Sequence, residues 1–399
     1  MTNILIFNGG RGAKNLILEL QKFNNLRMTS IVNAYDDGKS TGKIREFFDM
    51  LGPSDIRKTM ELMLPKTDKH YKLKNNTFKF RFNKNIKYQE AIIIIKKIIS
   101  GKDYANELFI DSTIKKFLNY FLEFCEYKKK TMNKKLNFSD SSLVNCIFAG
   151  AFLYTKRDFD LTIETLCKTF NLQHQILVNS PQNKFLTALR LNGKILYTEA
   201  EIVELRSSVK IKNIYLLDQS IKSLKEKQLS PKSELKLLNF FQSNINLSVK
   251  VKEEILKANI IIFSAGTQHS SLYPTYLTSG LADTIKKNQK AYKFYITNIG
   301  ADYETPRYKT SDYIKGAFKY LTKTSNKKFN YKDFFDYNLI NKTYSNKKVN
   351  YVKHDPENFD KIQSKIILDN YESLEYPGQH DGEKLVKTIL QISNLLYEK

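Results

Sequence analysis

Two spacings of apolar residues run along this chain, short unbroken runs and helical repeats, and the first sixty residues set the scheme. Ile4-Leu5-Ile6-Phe7 is apolar at every position and opens onto Asn8-Gly9-Gly10-Arg11-Gly12-Ala13-Lys14, after which the spacing turns helical. A second strand is predicted from Thr29 to Ala34, and it stops at Tyr35-Asp36-Asp37-Gly38-Lys39-Ser40-Thr41-Gly42. Pro53-Ser54-Asp55-Ile56-Arg57 then reads as a loop that caps a helix, with Asp55 near its positive end. Residues 66–137 are rich in Lys and Asn, and apolar positions in 86–124 fall at helical spacing, which predicts a helical insertion. Ser141 to Gly150 starts a helix carrying small residues.

Further on, Gln175 to Val178 predicts a short strand, and 186–191 with 194–199 predicts a hairpin turning at Asn192-Gly193. Ile211 to Leu217 gives another strand. A helix from Lys252 to Ala258 precedes Ile260-Ile261-Ile262-Phe263, whose unbroken apolar character marks a parallel sheet covered on both faces. Its end runs into Ser264-Ala265-Gly266-Thr267-Gln268-His269-Ser270-Ser271-Leu272, and such loops are where these sheets bind ligands. A strand from Lys293 to Thr297 ends at Asn298. Residues 321–370 are weakly patterned, and a last helix is predicted from Gly382 to Leu396. The pattern predicts a doubly wound, mostly parallel α/β fold with a helical insertion. The expected division is a main domain over 1–320, with its insertion at about 66–137, and an extension over 321–399. That extension ends in a helix, 377–396, packing back on the domain.

Composition changes this picture little. An apolar share of 41% over 399 residues suffices for a sizeable core. The net charge of +24 invites a nucleic-acid reading, but of 65 basic residues only nine are Arg, the usual carrier of bidentate phosphate and guanine contacts. The Lys excess comes with abundant Asn, Ile and Tyr, a mixture that A-T-rich codons produce without selection for binding. Nucleic acid is therefore not the expected partner. Cys125, Cys146 and Cys167 are widely spaced and fit reduced thiols rather than a disulfide framework or zinc site. The longest apolar run, Ala91 to Ile99, is broken by Lys96-Lys97 and falls short of the ~20 residues that span a bilayer. No signal-peptide pattern opens the chain, so a cytoplasmic protein without a membrane partner is expected. Hydrolase elbows, Walker loops and zinc spacings are missing from the sequence.

The candidate chemistry lies in the loops. Gly9, Gly10 and Gly12, with Arg11 and Lys14, suit a diphosphate; they also suit a tight strand–helix turn. Asp36 and Asp37 suit Mg²⁺ or a ribose, because hard cations choose carboxylate oxygens, or else a solvated turn capping the next helix. Asp55 fits an N-cap as well as a catalytic carboxylate, and Arg57 fits a phosphate or Asp55 itself. Asn145 sits among apolar neighbours and needs partners, from ligand or backbone. Gly266, Thr267, Ser270 and Ser271 offer donors to a base or phosphate, or cap a helix. His269 fits a general base or a surface residue.

Taken in order, these segments resemble the CofD-like superfamily, which contains 2-phospho-L-lactate transferases and YvcK-type gluconeogenesis factors. The resemblance rests on Gly9-Gly10-Arg11-Gly12, Asp36 to Gly42, Pro53 to Arg57, Ser142-Leu143-Val144-Asn145, the Asn192-Gly193 hairpin through Glu199, and Ala265 to Leu272. Val144 departs from the family's Gly, and Gln268-His269 from its shorter loop. The resemblance implies a site with Asp36, Asp37 and Asp55 in catalytic roles and Mg²⁺ on Asp36 and Asp37. Its ligand contacts would be Gly9, Gly10, Arg11, Gly12, Lys14, Ser40, Arg57, Asn145, Gly266, Thr267, Gln268, His269, Ser270 and Ser271. It implies a GDP- or UDP-type nucleotide-diphosphate-linked partner, and either transfer of a phospho-linked group to a hydroxyl or non-enzymatic binding of a UDP-sugar. A homodimer is an expectation from the resemblance alone.

Overall fold

Strands that are apolar at every position need cover on both faces, and the main sheet provides it. The computed structural model describes residues 1–104, 106–227 and 230–395, so Leu396, the expected last residue of the terminal helix, lies outside the described residues. The chain divides into two compact units, Met1–Tyr35 with Leu177–Lys399, and Asp36–Ile176.

The first unit is built on β1 (Thr2–Asn8), β2 (Leu26–Val32), β7 (Ile260–Phe263), β8 (Tyr292–Ile296), β9 (Tyr337–Asn341) and β10 (Lys365–Asp369). With β3 (Gln175–Val178) they form a seven-stranded sheet in the order β10-β9-β8-β7-β1-β2-β3. Ile4 to Phe7 pair in parallel with Met28 to Ile31 on one side and with Ile260 to Phe263 on the other. The chain therefore leaves β1 in one direction toward β2 and β3, and returns on its other side at β7. Loops at the carboxyl ends of β1 and β7 flank the point where strand order reverses, the place where doubly wound sheets bind ligands. Phe7 stacks on Phe263 at 5.0 Å, with Tyr276 edge-on to both, so the core reaches up to the base of these loops.

The Asn192-Gly193 hairpin forms as β4 (Phe185–Arg190) and β5 (Ile195–Leu196), with Gly193 in the left-handed region. It joins β6 (Ile211–Leu217) in a separate antiparallel sheet of order β5-β4-β6. The weak patterning of 321–370 gives no strand, yet β9 and β10 lie there and extend the main sheet in parallel. Their registers are short, and the loops around them carry the Lys and Asn that blur the pattern. Helix α1 (Lys14–Leu20) buries Leu16, Ile17 and Leu20, and the terminal helix Gly382–Ile392 packs beside it. Gly382 lets that approach happen: a Cβ there would sit 2.2 Å from the Asn15 carbonyl oxygen.

The second unit is helical. It comprises α2 (Lys39–Phe48), α3 (Ser54–Leu62), α4 (Tyr71–Lys79), α5 (Tyr88–Ile99), α6 (Ser112–Met132), α7 (Leu143–Tyr154) and α8 (Phe159–Thr169). Residues 143–152 of α7 are buried without a break, and Gly150 brings α7 against the Phe117 carbonyl of α6. Cys125, Cys146 and Cys167 are free thiols, and burial pushes Cys167 up to about 12 and the other two higher still. Among the described residues no helix is long and apolar enough to cross a membrane.

Candidate functional site

In the first unit the loops after β1 and β7 interlock, and glycine is what allows it. Gly10 takes φ 73°, which a side chain would resist. A Cβ on Gly9 would lie 2.7 Å from the Ser271 Cβ, and one on Gly12 would lie 2.2 Å from the Ala265 oxygen and 2.6 Å from the Gly266 Cα. The glycines thus have a packing reason inside the protein. Around this seam Arg11, Gly12 and Lys14 are exposed, and Gly266 and Thr267 are half-buried. Two cationic side chains and two glycine backbones therefore face solvent at the strand-order reversal.

Polar residues at the carboxyl ends of neighbouring strands hold the second loop. Asn298, after β8, accepts from the Gly266 N–H at 3.0 Å and donates to its carbonyl at 2.9 Å. Asn33, after β2, donates to the Ser270 carbonyl at 3.1 Å. The Gln268 amide donates to the Gly266 carbonyl, and the Thr267 hydroxyl to that of Ser271. Glu304 does most: one carboxyl oxygen accepts from the N–H groups of His269 and Ser270, each at 2.9 Å, and the other from the Ser270 hydroxyl. The donors that sequence reasoning offered to a ligand at His269 and Ser270 are thus engaged by a side chain of the protein.

Glu304 is buried, and burial together with the neighbouring Asp302 pushes its carboxyl up to about 8. His269 is buried with its ring edge-on to Tyr273 at 5.0 Å and Tyr308 at 6.0 Å. Burial, then Lys319 and Arg190, push it down to about 3, so the imidazole is neutral. Asn33, Asn298 and Glu304 were missed from sequence. The signal for the two asparagines is an Asn within two residues of a strand's carboxyl end; there is none for Glu304, which lies six residues beyond Asn298.

In the second unit the acidic turn is enclosed by glycines. A Cβ on Gly42 would lie 2.1 Å from the Asp37 carbonyl oxygen, and one on Gly52 2.3 Å from that of Asp36. Asp36 accepts from the Gly38 N–H at 2.9 Å, an Asx turn. Its carboxyl is pushed up by burial and then by the Asp55 charge, so the fold sets these carboxylates in one electrostatic neighbourhood. Lys58, one turn on in α3, pairs with Asp55 at 2.8 Å and opposes that shift. Asp37 is half-buried and Ser40 buried. Arg57 is buried, donates to the Phe78 carbonyl and lies 3.9 Å from Glu61, so partners within the protein already engage its guanidinium. At the start of α7 the side-chain oxygens of Ser141, Ser142 and Asn145 are all buried without a hydrogen-bond partner among the described residues. Among the described residues no group of three or more His, Cys, Asp or Glu is placed to hold a metal ion.

The geometry defines a doubly wound α/β protein with exposed Arg11 and Lys14 side chains and Gly12 backbone at its strand-order reversal. The chain belongs to the family described as 2-phospho-L-lactate transferase CofD, whose model matches residues 4–371. It is 23% identical over 394 residues to the "Putative gluconeogenesis factor" of Thermotoga maritima, covering 96% of this chain and 94% of that one. It is 22% identical over 396 residues to the "Gluconeogenesis factor" of Listeria monocytogenes, covering 97% and 94%. A crystal structure of a UPF0052 family member from Bacillus halodurans shares the fold, with a TM-score of 0.67 at 21% identity over 98% of this chain and all of that one.

Proposed function

We propose that the protein binds a nucleotide-diphosphate-linked small molecule on the exposed side of the interlocked β1 and β7 loops, and acts as a ligand-sensing regulator. The observation that carries this reading is the exposure of Arg11, Gly12 and Lys14 at the strand-order reversal, where a diphosphate gains two cationic side chains beside the exposed Gly12 backbone, while the Gly266 N–H is held by Asn298. The relatives' names, putative gluconeogenesis factor and gluconeogenesis factor, support this reading. The loop donors at His269 and Ser270, held by Glu304, serve as scaffold in this account. A thermal-shift screen of UDP-, GDP- and CDP-linked ligands tests it. Stabilisation by a member of that set without turnover of it supports a sensor; no shift from any of them contradicts binding.

The second reading is transfer of a phospho-linked group, favoured by the Asp36–Asp55 neighbourhood of the second unit and by the family description. Burial and the Asp55 charge raise the Asp36 carboxyl, a shift that a divalent cation would relieve, so Asp36, with Asp37 in the same turn, would hold Mg²⁺. Bound there, the ion would neutralise charge developing on phosphoryl oxygens. Asp36→Asn is expected to weaken ligand binding only when Mg²⁺ is present. An equal loss without metal, read by titration calorimetry, would assign Asp36 to a direct ligand contact.

A further inference from the structure

We infer, resting on the nucleotide reading above, that the stacked pair Arg206 and Tyr303 is the platform on which the base of the ligand stacks. The Arg206 guanidinium lies 4.2 Å from the centroid of the Tyr303 ring, and both side chains are exposed, Tyr303 by 52%.

Both halves of the pair are held from the second loop. Asp302 accepts from the N–H groups of Glu304 and Thr305 at 3.0 Å each and from the Thr305 hydroxyl at 2.7 Å, which sets Tyr303 at the apex of a tight turn. Glu304 points inward from that turn to hold the His269 and Ser270 N–H groups, whereas Tyr303 faces solvent. Asn298, earlier in the same connection, holds Gly266. Arg206 follows the helix Glu199–Glu204, which packs against Gln268–Leu272. The two segments that bring the pair together are thus anchored on the loop that interlocks with Gly9 and Gly12.

The pair is open where its neighbour is closed. Four residues on, Lys210 lies over Tyr308 at 4.8 Å and is tied to Asp312 at 3.2 Å. Among the described residues Arg206 meets no carboxylate, so its charge is left for a ligand. A guanidinium plane backed by an aromatic ring is a surface on which bases stack, with cation–π attraction added to the stacking. The division of labour is then complete: Arg11 and Lys14 meet the diphosphate, and Arg206 with Tyr303 meets the base. Stacking reads the face of a base and not its edge, so a purine gains more than a pyrimidine and neither is refused.

Ligand titration of the full chain tests this, followed by fluorescence and by calorimetry. The chain contains no tryptophan, so Tyr303→Trp places a single indole at the platform. UDP and GDP are expected to quench its emission on binding, GDP more deeply, while inorganic pyrophosphate leaves it unchanged. Tyr303→Ala is expected to weaken UDP and GDP roughly tenfold, the loss of one base stack. Affinity for pyrophosphate and the Tm should stay as in the native chain, and Tyr303→Phe should restore nucleotide affinity. Nucleotide binding that leaves the indole emission unchanged, native affinity in Tyr303→Ala, or an equal loss for pyrophosphate would each overturn the platform and leave the binding reading standing. A native chain that binds neither UDP nor GDP overturns both.

Discussion

Gly12 shows how one residue separates a packing role from a ligand role. A phosphate cradle requires backbone access only, so a methyl group there would cost binding and leave stability alone. Its Cβ would instead meet Ala265 and Gly266 backbone at 2.2 and 2.6 Å. Gly12→Ala is therefore expected to cost about 1–3 kcal/mol of stability, the usual range for overpacking, measured by urea unfolding without ligand. Glu304 gives a second residue-scale prediction. Its carboxyl is held up to about 8 against an ordinary 4.5. Between those values the unfolded chain has lost the proton that the native state keeps, so the native state binds more protons and stability falls as pH rises through the window, levelling above it. Glu304→Gln keeps an acceptor for the His269 and Ser270 N–H groups and is expected to flatten that part of the pH dependence of Tm. An unchanged slope would show that other groups set it. The candidate residues themselves were legible in the sequence, since glycine and aspartate clusters after strands stand out. Their use was not: the contact that gives Gly12 its role lies more than two hundred residues away.

Among elements, the interlocked loops depend on anchors from neighbouring strands. Asn298 both accepts from and donates to Gly266, so Asn298→Ala removes two hydrogen bonds from a half-buried turn. The expected cost is about 1–3 kcal/mol, with faster hydrogen exchange confined to the loop after β7 and unchanged exchange in β7 itself. The strands β1 and β7 were legible because burial on both faces demands unbroken apolar runs, whereas Arg27, Thr29 and Ser30 interrupt β2 and left only its second half legible. The β4–β5 hairpin was legible through its Asn-Gly turn. Strand β9 was not, because Asn338 and Asn341 break its short apolar run, and β10 was not, because it is an edge that reads exposed, half-buried, half-buried, exposed, exposed. A strand with no buried face leaves no periodicity to read.

At the scale of the whole molecule, the chain is a member of the CofD family with a seven-stranded, doubly wound sheet and a helical second unit. The order of its motifs carried the family, because six weak signals in sequence place both loops at one end of adjacent strands. The motifs did not carry the division of labour inside the second loop, where an internal carboxylate engages donors that the pattern offered to a ligand. The basic surplus, rich in Lys and poor in Arg, reads as solvated surface with general attraction for anions. The most direct test of the account is hydrogen–deuterium exchange of the native protein with and without a UDP-linked sugar. Slowed exchange is expected at residues 9–14 and 266–272. Protection confined to other segments, or none at ligand concentrations that stabilise the protein, would contradict it.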